Sequence, residues 1–148
     1  MIALGCDHAG YPLKEALKTY LDSVGKTYKD FGTFSEESVD YPIYAAKAAH
    51  AVADGECECG ILCCGTGIGI SIAANKVKGI RAAVCGDAYS TEMTRLHNDA
   101  NILCMGARVI SEEKAIELTE IFLKTPALNE ERHQRRVAML RDIENGKL

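Results

Sequence analysis

Five short apolar runs alternate with helix-period stretches along this chain, and that alternation leaves few folds open. Ile2-Ala3-Leu4-Gly5-Cys6 reads as a buried strand. Leu13, Ala16, Leu17, Tyr20, Leu21 and Val24 then recur at i, i+3, i+4, i+7, i+8 and i+11, one face of a helix that Gly25 is placed to end. Thr27 to Phe31 is a weaker strand, followed by a polar loop from Gly32 to Val39. Asp40 can cap an Ala-rich helix with Pro42 in its first turn, running to about Asp54. Gly60 to Cys64 is the next strand and leads straight into Gly65-Thr66-Gly67-Ile68-Gly69, with a short helix from about Ile70 to Asn75. Ile80 to Cys85 and Ile102 to Met105 are two more strands, separated by a helix that Asp87 can cap and that ends near His97. Ser111 opens a helix that Pro126 stops after Lys124, and a last helix spans Glu130 to about Asn145.

Strands that alternate with helices call for a parallel sheet covered on both faces. The expectation is an α/β, three-layer, doubly wound fold: a five-stranded parallel sheet with helices on both faces, residues 1–148 forming a single domain. The last helix follows another helix with no strand between, so this extra C-terminal helix is expected to pack outside the basic unit.

Composition narrows the function classes. Hydrophobic residues at 47% are too many for a disordered chain, and a net charge of 17 − 21 = −4 argues against general nucleic-acid binding. No apolar run approaches the ~18–20 residues of a membrane span. The first residues turn polar at Asp7-His8 and carry no basic n-region, so no signal peptide is read and a reducing cytoplasm is expected. There the seven cysteines, at 6, 57, 59, 63, 64, 85 and 104, stay free thiols.

Gly65 to Gly69 joins a strand to a helix, where α/β sheets bind ligands. Its glycines let backbone N–H groups approach an anion closely. The spacing matches neither the P-loop nor the dinucleotide fingerprint, and a tight turn without a ligand has the same composition. Cys64 ends the strand beside these amides, which favour a thiolate. Cys6, Cys63, Cys85 and Cys104 read as core residues. Cys57-Glu58-Cys59 is C-x-C rather than C-x-x-C, and Cys63 and Cys64 point to opposite strand faces, against a vicinal disulfide. Asp7-His8 can face the same crevice as the glycine loop. His97 suits either a polar site or a helix C-terminus on electrostatic grounds alone. His50 is expected to face solvent. Arg132 and Arg136 are four apart, on one helical face, and fit either a phosphate clasp or a solvated face paired with Glu130, Glu131 and Asp142.

Taken in order, Gly5-Cys6-Asp7-His8-Ala9-Gly10, Asp40-Tyr41-Pro42, Cys64-Gly65-Thr66-Gly67-Ile68-Gly69, His97-Asn98-Asp99-Ala100-Asn101 and Arg132-His133 resemble the type B ribose-5-phosphate isomerases, in a wider family with the galactose-6-phosphate isomerase subunits. The match covers essentially the whole chain. The resemblance implies a Rossmann-like sheet and a homodimer with shared active sites, in some members a dimer of dimers. It implies interconversion of ribose 5-phosphate and ribulose 5-phosphate through a cis-enediolate, with no metal and no cofactor. Carried over, Cys64 is the base, and no acid stands near Ser71-Ile72, where some members use Glu. Gly65, Thr66, Gly67, Ile68 and Gly69 form the anion hole. His97 opens the furanose ring, with Asp7 and Thr66 as helpers. Asp7, His8, Asn98, Ser71 and Tyr41 contact the sugar. Arg108, Arg132, His133 and Arg136 hold the phosphate, partly from the neighbouring subunit. Two alternatives stay open: six-carbon sugars or their 6-phosphates (allose, psicose and galactose forms), and a non-catalytic nucleotide-binding or thiol-sensing module.

Overall fold

The computed structural model describes residues 1–148 in the order β1 (Ile2–Cys6), α1 (Tyr11–Ser23), β2 (Tyr28–Asp30), α2 (Tyr41–Ala53), β3 (Cys59–Cys64), α3 (Ile68–Ala74), β4 (Ala82–Val84), α4 (Ala88–Asn98), β5 (Ile102–Gly106), α5 (Glu112–Lys124) and α6 (Glu131–Glu144). Every strand pairing is parallel, and the strands lie in the order β2-β1-β3-β5-β4. The expected three-layer α/β fold is therefore present. No helix is long and apolar enough to cross a membrane.

The core divides into two faces because side chains alternate along a strand. Ile2, Leu4 and Cys6 of β1, Ile61 and Cys63 of β3, and Leu103 and Met105 of β5 pack with Leu13, Leu17 and Leu21 of α1 and Ala115, Leu118 and Phe122 of α5. Ala3, Leu62, Cys64, Ile102 and Cys104 point the other way, onto Ala45, Ala48, Ala49 and Val52 of α2 and Ile70 and Ala74 of α3. Both faces are apolar, so β1, β3 and β5 read as unbroken apolar runs. Small side chains let α2 lie close to the sheet: a Cβ on Gly5 would stand 3.3 Å from the Tyr44 carbonyl oxygen.

Several local signals act as expected. Asp87 Oδ1 accepts the Ser90 N–H at 2.7 Å, and Ser111 Oγ accepts the Lys114 N–H at 3.1 Å. Gly25, at φ +70°, ends α1; its N–H donates to Asp22 O, and the Lys26 N–H donates to Leu21 O. Other details differ, and β2 is confined to Tyr28–Asp30 within the expected Thr27 to Phe31. Asp40 stands at the N-cap of α2, but its side chain caps nothing; its carbonyl accepts the Ile43 N–H at 3.2 Å instead. The helix after the glycine loop begins at Ile68 rather than Ile70. The strand expected over Ile80 to Cys85 is confined to Ala82–Val84. Asn101 Oδ1 takes the Arg81 N–H at 2.8 Å, and Ile80 donates to Val77 O, so the ladder starts late.

The chain leaves β1 through α1 towards β2 and leaves β3 through α3 in the opposite direction, towards β4. Such a divergence opens a crevice at the carboxyl ends of the two strands. α6 lies outside the two helical layers and packs against α4. A Leu128 N–H to Leu96 O bond of 3.0 Å and a Gly79 N–H to Glu144 Oε1 bond of 2.8 Å tie this segment down.

Candidate active site

Cys64 is the last residue of β3, facing the α2/α3 side, and its Sγ accepts the Gly67 N–H at 3.1 Å. Gly67, at φ +79°, then turns the chain from the strand end into α3. The turn is also sterically fixed. A Cβ on Gly67 would lie 2.8 Å from the Met105 carbonyl carbon, and one on Gly106 would lie 2.6 Å from the Thr66 backbone. Gly106 was not singled out in the sequence; a glycine closing the strand beside β3 was its only signal. Thr66 Oγ1 accepts the Ile68 N–H at 3.2 Å. The N–H groups of Thr66 and Gly69 take no acceptor within the chain. Ser71 is buried, and its hydroxyl donates to Ile68 O at 2.7 Å inside α3. Gly69 leaves room for Tyr41, whose ring carbon Cζ would stand 2.8 Å from an added Cβ.

The loop after β1 forms the opposite wall. Asp7 is buried; its N–H donates to Cys63 O at 3.2 Å, and its Oδ1 accepts the Gly10 N–H at 2.9 Å. His8 Nδ1 accepts the Val39 N–H at 3.1 Å, so a neutral His8 carries its proton on Nε2. Val39 is a contributor that composition could not flag, because its part is played by a backbone amide. Arg108 follows β5; its N–H donates to Gly65 O at 3.0 Å, and its guanidinium lies over Gly65. Cys64, the glycine loop, Asp7, His8, Tyr41 and Arg108 thus gather beyond the carboxyl ends of β1, β3 and β5.

His97, Asn98, Arg132, His133 and Arg136 do not join them within the chain. Cys64 is paired with Gly106, at the end of β5, whereas His97 precedes the start of β5. The five residues of β5 separate them by roughly 13–16 Å. At this far end His97 stacks on His133, with ring centroids 4.2 Å apart and an interplanar angle of 7°. Both line a cavity of about 370 Å³ between α4 and α6, with Asn129 and Arg141. His133 is 7% exposed and its Nε2 has no hydrogen-bond partner. Burial, then the neighbouring His97 and Arg132, holds its imidazole below the ordinary range. Arg132 Nε lies 3.1 Å from Glu130, Arg135 pairs with Glu131 at 2.7 Å, and Arg136 is exposed with no ion pair. His50 is exposed, as expected.

The remaining cysteines behave as packing residues. Burial pushes the thiols of Cys57, Cys63, Cys85 and Cys104 up, that of Cys59 to about 11 and that of Cys6 to about 12. Cys63 and Cys64 sit on opposite faces of the sheet.

Residues 2–140 match the ribose/galactose isomerase family. The chain is 48% identical to a ribose-5-phosphate isomerase B of Escherichia coli over 143 residues, 97% of this chain and 95% of that one. It is 46% identical to a D-erythrulose-4-phosphate isomerase of Pectobacterium atrosepticum, covering 82% and 81% of the two chains. A ribose-5-phosphate isomerase B structure from Clostridium thermocellum superposes with a TM-score of 0.96 at 48% identity, over 99% of each chain.

Proposed function

The chain belongs to the ribose/galactose isomerase family and is an isomerase, and from that premise we propose that it interconverts ribose 5-phosphate and ribulose 5-phosphate through a cis-enediolate. The observation that carries this reading is the Cys64 sulfur held by the Gly67 N–H in a crevice walled by Asp7 and Arg108. The Cys64 thiolate takes the C2 proton of the open aldose. The bonding pair forms the C1–C2 double bond, and O1 receives the negative charge. The N–H groups of the glycine loop face that charge. The O2 hydroxyl proton passes to O1, and the thiol then returns its proton to C1 as the O2 electron pair forms the C2 ketone and the sulfur is left a thiolate again.

His97 opens the furanose ring and Asn98 binds a hydroxyl. Because both lie a strand's length from Cys64, the working unit is a homodimer in which His97 of one copy meets Cys64 of the other. The split of the phosphate ligands supports this: Arg108 stands beside Cys64, while Arg132, His133 and Arg136 stand beside His97. The same helix leaves Met139, Leu140 and Ile143 41%, 45% and 58% exposed, an apolar surface that a second copy would cover. Seven free thiols suit a cytoplasmic protein.

The test follows two quantities: net conversion in a coupled assay, and exchange of the C1 proton of ribulose 5-phosphate with solvent deuterium. Cys64→Ala should lose both by at least about 10³-fold while remaining folded. Near-normal exchange in that variant would remove Cys64 from the base's role. A panel of four-, five- and six-carbon sugar phosphates sets the substrate length; a higher kcat/KM for a hexose phosphate would favour the longer substrate over ribose 5-phosphate.

A further inference from the structure

His97 sits in the last turn of α4, where a helix ordinarily frays because its final carbonyls lack partners. Here the carbonyl of Asn98 and those of the turn that follows it are taken. Arg81 Nε donates to Asn98 O at 3.2 Å and to Asp99 O at 3.0 Å. Arg95 Nη1 donates to Ala100 O at 2.6 Å, and its Nε donates to Thr125 O at 3.0 Å. The two guanidinium groups also grip Asp99, Arg95 on Oδ1 at 2.9 Å and Arg81 on Oδ2 at 3.4 Å. Asp99 has φ +46°, the single positive φ outside glycine in the chain. Asn101 closes the turn from the strand side: its Oδ1 accepts the Arg81 N–H at 2.8 Å, and its Nδ2 donates to Gly79 O at 2.9 Å.

We infer that Asp99, held between Arg81 and Arg95, is a positioning residue that sets the direction of His97. A left-handed turn needs only glycine. A carboxylate gripped by two arginines, in a helix-to-strand turn whose carbonyls the same arginines cap, does more than turn the chain: it removes the freedom of the last turn of α4. The stack on His133 fixes the imidazole from α6, and the clamp fixes the backbone beneath it. The pentapeptide His97-Asn98-Asp99-Ala100-Asn101 thus divides into two site residues and the turn that aims them. A shift of about 1 Å in a reacting group costs about 10²-fold in rate, so loss of the clamp is felt without any contact to substrate.

The proposal rests on the reading of His97 as the ring-opening group, and the experiment separates the two. Asp99→Gly keeps the left-handed turn and removes the clamp; Asp99→Asn keeps the turn and an acceptor for Arg95. Arg81→Met removes the other jaw and carries the comparison if Asp99→Gly does not fold. His97→Asn is measured alongside, with the double variant. Net turnover of ribose 5-phosphate should fall about 10–100-fold in Asp99→Gly and recover most of the loss in Asp99→Asn. Exchange of the C1 proton of ribulose 5-phosphate, which needs Cys64 but no ring opening, should stay within about twofold of the parent. The double variant should be no slower than His97→Asn alone. Normal turnover in a folded clamp variant, with His97→Asn impaired, would overturn the clamp alone; loss of exchange in step with turnover would overturn it too. Normal turnover in His97→Asn would overturn the reading of His97 and the clamp with it.

Discussion

Substituting alanine for Gly67 tests the geometry around Cys64 most directly. Gly67 has φ +79°, and placing a residue with a Cβ there costs about 1–2 kcal/mol. The new Cβ would also meet the Met105 carbonyl carbon and Val84 Cγ2, each at 2.8 Å, and the Gly106 nitrogen at 3.1 Å. Two of those atoms are backbone of β5 and cannot rotate away, so overpacking adds about 1–3 kcal/mol. The total, about 2–5 kcal/mol, lowers the melting temperature by about 5–20 °C in a chain of this length. The loop relieves the clash by lifting from β5, which draws the Gly67 N–H away from Cys64 Sγ and lowers kcat about 10²-fold. Gly25→Ala is the control. Its φ is +70°, but an added Cβ meets nothing within 4 Å, so only the conformational cost applies and turnover is unchanged. Calorimetry and the coupled isomerase assay on both variants decide the matter. Equal melting temperatures, with kcat for Gly67→Ala within about twofold of the parent, would refute the steric argument.

Two further substitutions follow from buried groups. Lys14 is 1% exposed; its ammonium donates to Asp30 at 2.6 and 2.8 Å and to Thr33 O at 2.6 Å. Lys14→Met leaves that carbonyl with only the long Cys6 thiol contact and leaves Asp30 with Lys18 at 3.1 Å as its one ion pair beside the Gly32 N–H, so denaturation should show a loss of about 3–5 kcal/mol; an unchanged midpoint and slope would exclude it. His133 prefers to be neutral when folded because burial opposes its charge, with His97 and Arg132 adding to the effect. The unfolded chain therefore takes up the proton more readily, and stability should fall as pH drops through and below about 6.5. His133→Phe keeps a ring against His97 and removes that dependence, so parallel melting curves for the two proteins between about pH 7.5 and 5.5 would contradict the assignment.

What could be read beforehand followed from burial. β1, β3 and β5 are covered on both faces, so their apolar runs were plain; β2 and β4 lie at the sheet edges, three residues each, and were blurred at their ends. Asp87 and Ser111 announced their helices because the capping side chain is the signal, whereas Asp40 holds the same position and caps through its carbonyl. The crevice around Cys64 was legible for a similar reason: strand ends and the loops that follow them are contiguous in sequence, so Asp7, His8 and Gly65 to Gly69 fall together once the strands are parallel. The His97 half obeys a different rule. A crossover helix starts at the carboxyl edge of the sheet and returns its last turn to the amino edge. A residue late in α4 is therefore carried away from Cys64 by the same right-handed connection that makes the sheet parallel. Motif order alone hides this, because Cys64 and His97 look like neighbours in a list of polar residues. The distance between them follows from strand direction, and it is why the proposed mechanism takes a second copy of the chain to bring a His97 to the Cys64 crevice of the first.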